Sequence, residues 1–374
     1  MLMTKKELNE LINETGKPCV SIIIPTHRVS PGRIQDPDVL SKLVESSKIS
    51  LNKICDNKND VEIISTKIDN LCGQVDYVHP KDGIGIFVSR DFSKLVKFPF
   101  PVSSKIRTGD SFYLKDILFN FYNVVDYYIL DITRKSVRLF KASGEEYTEL
   151  KDKDFPYEYT EEYEYETSAR GNSYSNTLKT FERDKSVLQE IRLKDFLRHA
   201  DNLLEKYITT ETPIVIAGGK KELADYLKTT KHENNIIGKV SGNYNYNGET
   251  QLTSHAWTEV QEYVKNQNRI LIDELSEKIG RRLAVTGIKE VWKAASEAKG
   301  LKLIVEKDFD CHGYIRKDGL ELKSSKPAGN NKYFFDPDVV DKVIRIVMDK
   351  GGEIVFVDKD ALKNFNGIAL LLRY

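Results

Sequence analysis

The chain has 374 residues, a length that predicts two or three domains at roughly 100–200 residues each. Apolar residues make up 40% and charged residues 30%, an ordinary composition with enough material for sizeable cores. Lys+Arg and Asp+Glu are both 57; that zero balance argues against a wholly basic nucleic-acid binder and leaves room for local basic patches.

The start, MLMTKKELNELINETGK, has no apolar core of signal-peptide length. No apolar run nears the ~20 residues of a membrane span, so no membrane partner is expected. The expected compartment is the cytoplasm, with reduced thiols. Cys19, Cys55, Cys72 and Cys311 form no C-x-x-C pair, and no His completes a zinc spacing. No cofactor or metal is expected.

Residues 4–15 read as a short helix, with Thr4 before Glu7 at capping-box spacing. In CVSIIIPTHR, the nearly continuous β-branched run Val20, Ile22, Ile23, Ile24 predicts a strand buried on both faces, stopped by Pro25. RVSPGRIQDPD reads as a loop. Helical stretches follow at about 39–55 and 61–75, then paired strands at 83–89 and 94–100. This first α/β unit spans 1–122.

VVDYYILDITRKSVRLFKAS, residues 124–143, is a hairpin turning at Thr133-Arg134-Lys135. The polar stretch 151–184 has no aliphatic run. Its Tyr/Glu alternation at Tyr157, Tyr159, Tyr163 and Tyr165 suits an edge strand, and the rest reads as a long mobile loop of the functional or disordered kind. A helix follows, with Val187, Leu188, Ile191, Phe196, Leu197, Ala200, Leu203, Leu204 and Tyr207 on one broad face. PIVIAGGKKELADYL is strand, Gly-Gly turn and helix. LTSHAWTEVQEYV opens a long helix capped at Thr253 or Ser254, which runs past the second boundary near 268. This central unit spans 123–268.

The last unit, 269–374, alternates helix and strand. GIKEVWKAASEAKG is a helix with Gly at its C-cap, LKLIVEKDF a strand, 310–331 a polar loop, and PDVVDKVIRIVMDKGG a helix with Pro at its first position. EIVFVD and GIALLLRY are strands. Three α/β units follow.

Three stretches in order, VSIIIPTHR, VIAGGKKEL and GGEIVFVDKDALKNFNGIALLLRY, resemble the archaeo-eukaryotic class-1 release factor and Pelota superfamily. CVSIIIPTHRVSPGRIQDP (19–37), the GN…LTSHAW stretch (242–257) and the terminal Leu372-Arg373-Tyr374 are most similar to its bacterial branch, the Balon-like ribosome hibernation factors. The resemblance implies an N-terminal domain, a ribonuclease-H-like central domain and a C-terminal domain like the kink-turn RNA-binding ribosomal proteins. It implies a body that occupies the ribosomal A site. Two departures matter. The central loop, TSARGNSYSNTLKTFERD, holds no Gly-Gly-Gln, and the first unit holds no Asn-Ile-Lys-Ser. Peptide release and codon reading are both in doubt.

With that resemblance, Arg170, Asn172 and Tyr174 suit a tip entering an RNA-lined pocket, where rings or guanidinium groups stack on bases. A plain surface loop has the same composition. Arg183 and Lys185 stand at the N-terminus of the following helix, and Arg192 and Lys194 lie along it; they suit phosphate contacts or a solvated face. His27 and Arg28 close a buried strand, where ligand sites of open sheets collect. No Ser, Cys or carboxylate is placed to complete a triad, and Asp36 is separated from His27 by the loop. His199 is expected at the surface; His255 and Trp257 are expected in packing and capping. Gly218 and Gly219 before Lys220 lack the full P-loop or dinucleotide pattern and read as a tight turn.

The resemblance implies a ribosome-binding factor for hibernation or rescue. Its expected partners are ribosomal RNA, tRNA and a translational GTPase. Two readings compete: a peptidyl-tRNA hydrolase or nuclease with other loop chemistry, and a stress-linked protein-binding scaffold.

Overall fold

The structure, a computed structural model, describes residues 5–14, 16–78, 80–159, 178–244, 248–327 and 332–374, without the side chains of 5, 178–186 and 188. It divides into two compact units, residues 1–123 with 275–374, and residues 124–274.

The first unit begins with α1 (Lys5–Asn13), β1 (Cys19–Pro25), α2 (Gly32–Ile54), α3 (Lys58–Cys72), β2 (Gly83–Val88), β3 (Ser93–Phe98), β4 (Lys105–Gly109) and α4 (Lys115–Asn123). The four strands order as β3-β2-β1-β4, with every neighbour antiparallel. The β-branched run of β1 is buried on both faces, as its pattern predicts. Val20, Ile22 and Ile24 meet Leu40, Val44, Ile64 and Ile68 of α2 and α3, while Cys19 and Ile23 join a second core. α3 is capped by the Asn57 side chain, which accepts from the Asn59 N–H at 3.1 Å. The segment read as the loop RVSPGRIQDPD is helical from Gly32, with Pro37 inside α2. Proline disfavours helix at the residue before it. Here Asp36 overrides that preference, because its buried carboxylate is fixed on His27.

The second unit holds β5 (Asp126–Ile132), β6 (Ser136–Ser143), β7 (Glu146–Glu149), β8 (Tyr157–Glu158), α5 (Leu178–Leu204), β9 (Ile214–Gly218), α6 (Lys220–Leu227), β10 (Ile236–Ser241) and most of α7 (Glu249–Gly280). Its sheet orders as β10-β9-β5-β6-β7, with β8 on β6. β5, β6 and β7 are antiparallel and β9 and β10 parallel, the mixed order expected of a ribonuclease-H-like sheet. One face packs on Phe196, Leu197, Ala200 and Leu204 of α5, the other on Leu252, Ala256 and Val260 of α7. Two expectations need correction. α5 begins at Leu178, inside the stretch read as loop, and Val187 and Ile191 are exposed; among the described side chains of α5, packing on the unit's core starts at Leu193. α7 begins at Glu249 and not at Thr253, whose hydroxyl donates back to the Glu249 carbonyl at 3.0 Å.

The chain returns to the first unit with β11 (Ala284–Thr286), α8 (Ile288–Ser296), β12 (Gly300–Glu306), β13 (Gly313–Arg316), β14 (Leu322–Lys323), β15 (Tyr333–Asp336), α9 (Val339–Asp349), β16 (Glu353–Val357) and β17 (Ile368–Leu372). The larger sheet orders as β11-β17-β12-β16. The terminal strand therefore lies between two others, which explains five nearly unbroken apolar residues. Ile368, Ala369 and Leu370 are wholly buried. α8 ends before its expected glycine, and Ala298 takes the left-handed turn at φ +60°. α9 begins at Val339, so Pro337 stands before it rather than at its first position, and Asp338 caps it by accepting from the Val340 N–H at 3.0 Å. The polar stretch 310–331 is not all loop: β13 and β14 lie within it and, with β15 just after it, make a small sheet ordered β14-β13-β15.

The first and last segments of this unit share one hydrophobic core, from Leu8, Phe87 and Phe112 to Trp292, Val343 and Leu370. Buried polar groups stitch the segments together. The Asp341 carboxylate accepts the Leu114 and Lys115 N–H groups at 3.0 and 3.1 Å. Arg345 donates to the Ile12 carbonyl at 3.0 Å. Arg107 pairs with Asp336, and Lys115 with Asp310 at 2.7 Å. No helix among the described residues is long and apolar enough to cross a membrane.

Candidate functional site

β1 runs out at Pro25, and Thr26 is held there by the Asp82 and Lys81 carbonyls at 3.1 and 2.8 Å. This delivers His27 and Arg28 to the surface. The Asp36 carboxylate accepts from the His27 N–H at 2.8 Å and sits 2.7 Å from its Nδ1. The sequence reading set Asp36 apart from His27 by a loop; the helix that begins at Gly32 brings the two together. Asp36 is almost wholly buried, whereas the His27 side chain is 54% exposed. Gly32 lies against the imidazole, and a Cβ there would stand 2.6 Å from its Cγ. The ring is therefore fixed on two sides. Nε2 makes no hydrogen bond among the described residues. Arg28 is exposed and pairs with Asp82 at 2.9 Å. With no hydroxyl or thiol on His27 among the described residues, the arrangement can donate hydrogen bonds and positive charge to an anion, but it has no nucleophile of its own.

In the second unit, Arg170, Asn172 and Tyr174 lie outside the described residues. Arg183 and Lys185 lie on α5, but their side chains are outside the description. Arg192 and Lys194 follow on the same helix, both partly exposed. Lys194 stands 3.7 Å from Glu190 one turn back, an exposed pair worth little in stability. His199 is exposed, as expected, and its ring stacks on Tyr157 at 5.1 Å. Arg192 and Lys194 lie on α5 of the second unit, and His27 and Arg28 at the end of β1 in the first.

The Gly218-Gly219 turn is a tight strand-to-helix connection. Gly218 adopts φ +151°, and a Cβ there would meet the Ile132 carbonyl at 2.4 Å. The N-terminus of α6 already faces an anion, since Glu222 lies beside Gly219. Arg134 donates to Glu222 at 2.8 Å, and that bond holds its carboxyl below the usual range. A helix N-terminus occupied by its own carboxylate does not also cradle a phosphate.

One buried network escaped the sequence reading. Arg138 donates to Asp131 at 2.7 and 3.1 Å, to Glu249 at 3.0 Å and to the Tyr244 carbonyl at 2.7 Å. Burial pushes the Asp131 carboxyl up, against the Arg138 bonds that pull it down. The legible signal was register: a hairpin turning at 133–135 sets Asp131 directly opposite Arg138. This network ties the hairpin to the start of α7. His255 and Trp257 serve packing there, with His255 Nδ1 at 3.0 Å from the Tyr244 hydroxyl and Trp257 stacked on Tyr127 at 6.3 Å. Among the described residues, no group of three or more His, Cys, Asp or Glu is placed to hold a metal ion.

Residues 126–299 match the family described as bacterial archaeo-eukaryotic release factor family 3. The match opens on β5, at the start of the second unit. No curated protein matches the chain. Among solved structures, the chain is similar to an archaeal translation termination factor, aRF1, at 16% identity, over 100% of this chain and 99% of that one, with a TM-score of 0.25. It is similar to Archaeoglobus fulgidus Pelota at 16% identity over 78% and 79%, with a TM-score of 0.37. S. cerevisiae Dom34, described as a translation termination-like factor interacting with Hbs1, matches at 12% identity over 73% and 74%, with a TM-score of 0.36.

Proposed function

We propose that the chain, whose residues 126–299 match the bacterial archaeo-eukaryotic release factor family 3, binds the ribosome as a hibernation or rescue factor, occupying the A site through ribosomal RNA. The observation that carries this reading is the family match over 126–299, joined to a gap in the sequence. There is no Gly-Gly-Gln; Gly218-Gly219 precedes Lys220 and Gly351-Gly352 precedes Glu353. A protein of this family without the residues that position water on the peptidyl-tRNA ester is suited to occupy the site rather than to empty it.

In this reading Arg170, Asn172 and Tyr174 contact RNA by stacking and hydrogen bonding. Arg183, Lys185, Arg192 and Lys194 contact phosphates, as do His27 and Arg28. A translational GTPase and tRNA are the accompanying partners. The exposed, buttressed His27 supports the phosphate role: a ring fixed by Asp36 loses little freedom on binding.

Sucrose-gradient cosedimentation with vacant 70S ribosomes tests the reading. Comigration at low salt that weakens steeply as salt rises is expected. Absence of comigration at low salt would sink it. Release of model peptidyl-tRNA by the bound protein would replace it with the hydrolase reading. Replacing Arg170 and Tyr174 by Ala should weaken binding and leave the melting temperature unchanged; an equal fall in melting temperature would make the segment structural.

A further inference from the structure

The small sheet of β14, β13 and β15 has two unlike faces. Alternate residues of a strand point to opposite sides. Ile315 and Leu322 point into the first unit's core and are 2% and 8% exposed. Tyr314 stands opposite Phe335 and Lys323, and Arg316 opposite Tyr333, so these share the other face. That face is aromatic and open. Phe335 is 54% exposed, and its ring lies 5.4 Å from Tyr314 and 6.1 Å from His312. A cleft of about 200 Å³ is lined by Tyr314, Tyr333, Phe335, Lys326 and Pro327. It is smaller than the pockets that hold drug-sized ligands and suits one planar group.

The charge on this sheet is not balanced. Arg316 is taken by Asp318 and Glu321, at 2.7 and 2.9 Å. Lys323 stands 3.4 Å from Glu321. Asp336 is taken by Lys342 and Arg107. Lys317, Lys326 and Lys332 are exposed and have no ion pair among the described residues. The Lys317 N–H donates to the Lys332 carbonyl at 2.9 Å, which brings two of these cations to one end of the sheet. The sheet is also held in place. The Trp292 indole and the Ser296 hydroxyl both donate to the Gly319 carbonyl in the β13–β14 turn, at 3.0 and 3.4 Å.

We propose that this face binds single-stranded RNA, with bases stacking against Tyr314, Tyr333 and Phe335 and phosphates meeting Lys317, Lys326 and Lys332. The exposed Phe335 ring, the half-buried Tyr314 and Tyr333 rings, the latter with Lys323 over one face at 5.1 Å, and the surplus lysines beside them offer a strand of nucleotides π-faces for bases and cations for phosphates. A second copy of this chain would bring its own lysines against these, and like charges oppose that contact. Duplex RNA hides its base faces and offers nothing for the rings to stack on. The inference does not depend on the ribosome reading, because free RNA tests it.

The experiment is fluorescence anisotropy of the full chain with a labelled eight-nucleotide uridine oligomer, and with an RNA duplex of equal length. The single strand is expected to bind tighter than the duplex. Tyr314→Ala and Phe335→Ala should each weaken it about tenfold. Lys326→Gln and Lys332→Gln, both at exposed positions, should each lower the slope of log affinity against log salt by about 0.7. Phe335→Leu keeps an apolar side chain and should lose the stacking all the same. Equal binding of strand and duplex overturns the proposal. So does unchanged binding by the Tyr314→Ala/Phe335→Ala double variant. Binding of polyglutamate in place of the oligomer, lost in the same variants, would assign the face to an acidic protein.

Discussion

Asp338 shows most directly how one residue can work against the fold that contains it. Its carboxylate caps α9, yet one oxygen is buried without a hydrogen bond among the described residues. Burial pushes its pKa up to about 6, with Lys115 and Arg107 pulling the other way and Asp341 pushing it further up. Because the folded-state value is the higher one, the folded protein holds a proton that the unfolded chain releases. The stability this provides is fully present below about pH 4 and is lost as pH rises through about 6. Asp338→Asn keeps a good cap and removes the buried charge. It should stabilise the protein near pH 7 by about 1–3 kcal/mol, with the gain disappearing near pH 4. Urea titrations at both values check this; an equal effect at each would mean the carboxyl does not titrate differently in the two states. Arg138 is the opposite case. Arg138→Met leaves Asp131 buried without its partner, and a loss of about 3–5 kcal/mol is expected in the same titration.

At the scale of elements, β17 and the first turns of α2 carry separate lessons. Leu370 sits between β11 and β12 and is wholly buried. Leu370→Ala should cost about 2–5 kcal/mol by chemical denaturation; a cost under 1 kcal/mol would mean the site collapses around the smaller side chain. In α2, the helix was concealed by Pro31 and Pro37. Local signals started it late, at about 39, whereas Asp36 fixes its beginning by reaching back to His27. Asp36→Ala should free the imidazole and loosen residues 32–38. Faster amide hydrogen exchange confined to that stretch is the expected readout, and protection as in the parent chain would show that packing alone holds the turn.

For the whole molecule, the consequence comes from the core shared by residues 1–123 and 275–374. Deleting residues 368–374 removes a central strand and also uncovers side chains that pack with Phe87, Phe112 and Leu118. Limited proteolysis of the truncated chain should cut within both segments of the first unit and spare the sheet, α6 and the packed part of α7 in the second, which have cores of their own. Protection of 1–123 in the truncated chain would show that the first segment folds without the last.

The sequence by itself determined the element types wherever the period was long and apolar: β1, the β5–β6 hairpin, α9 and the terminal strand all stand where their patterns put them. It also pointed to the release factor family whose model matches residues 126–299. Tertiary structure alone decided the rest. Strands of two to four residues, such as β13, β14 and β15, are too short to show a period, and the aromatic face they build exists only through cross-strand register. The His27–Asp36 and Arg107–Asp336 pairs join groups whose spacing along the chain carries no local signal. Hydrophobic periodicity reports what one element hides from water; which carboxylate meets which cation is settled only when the elements have packed.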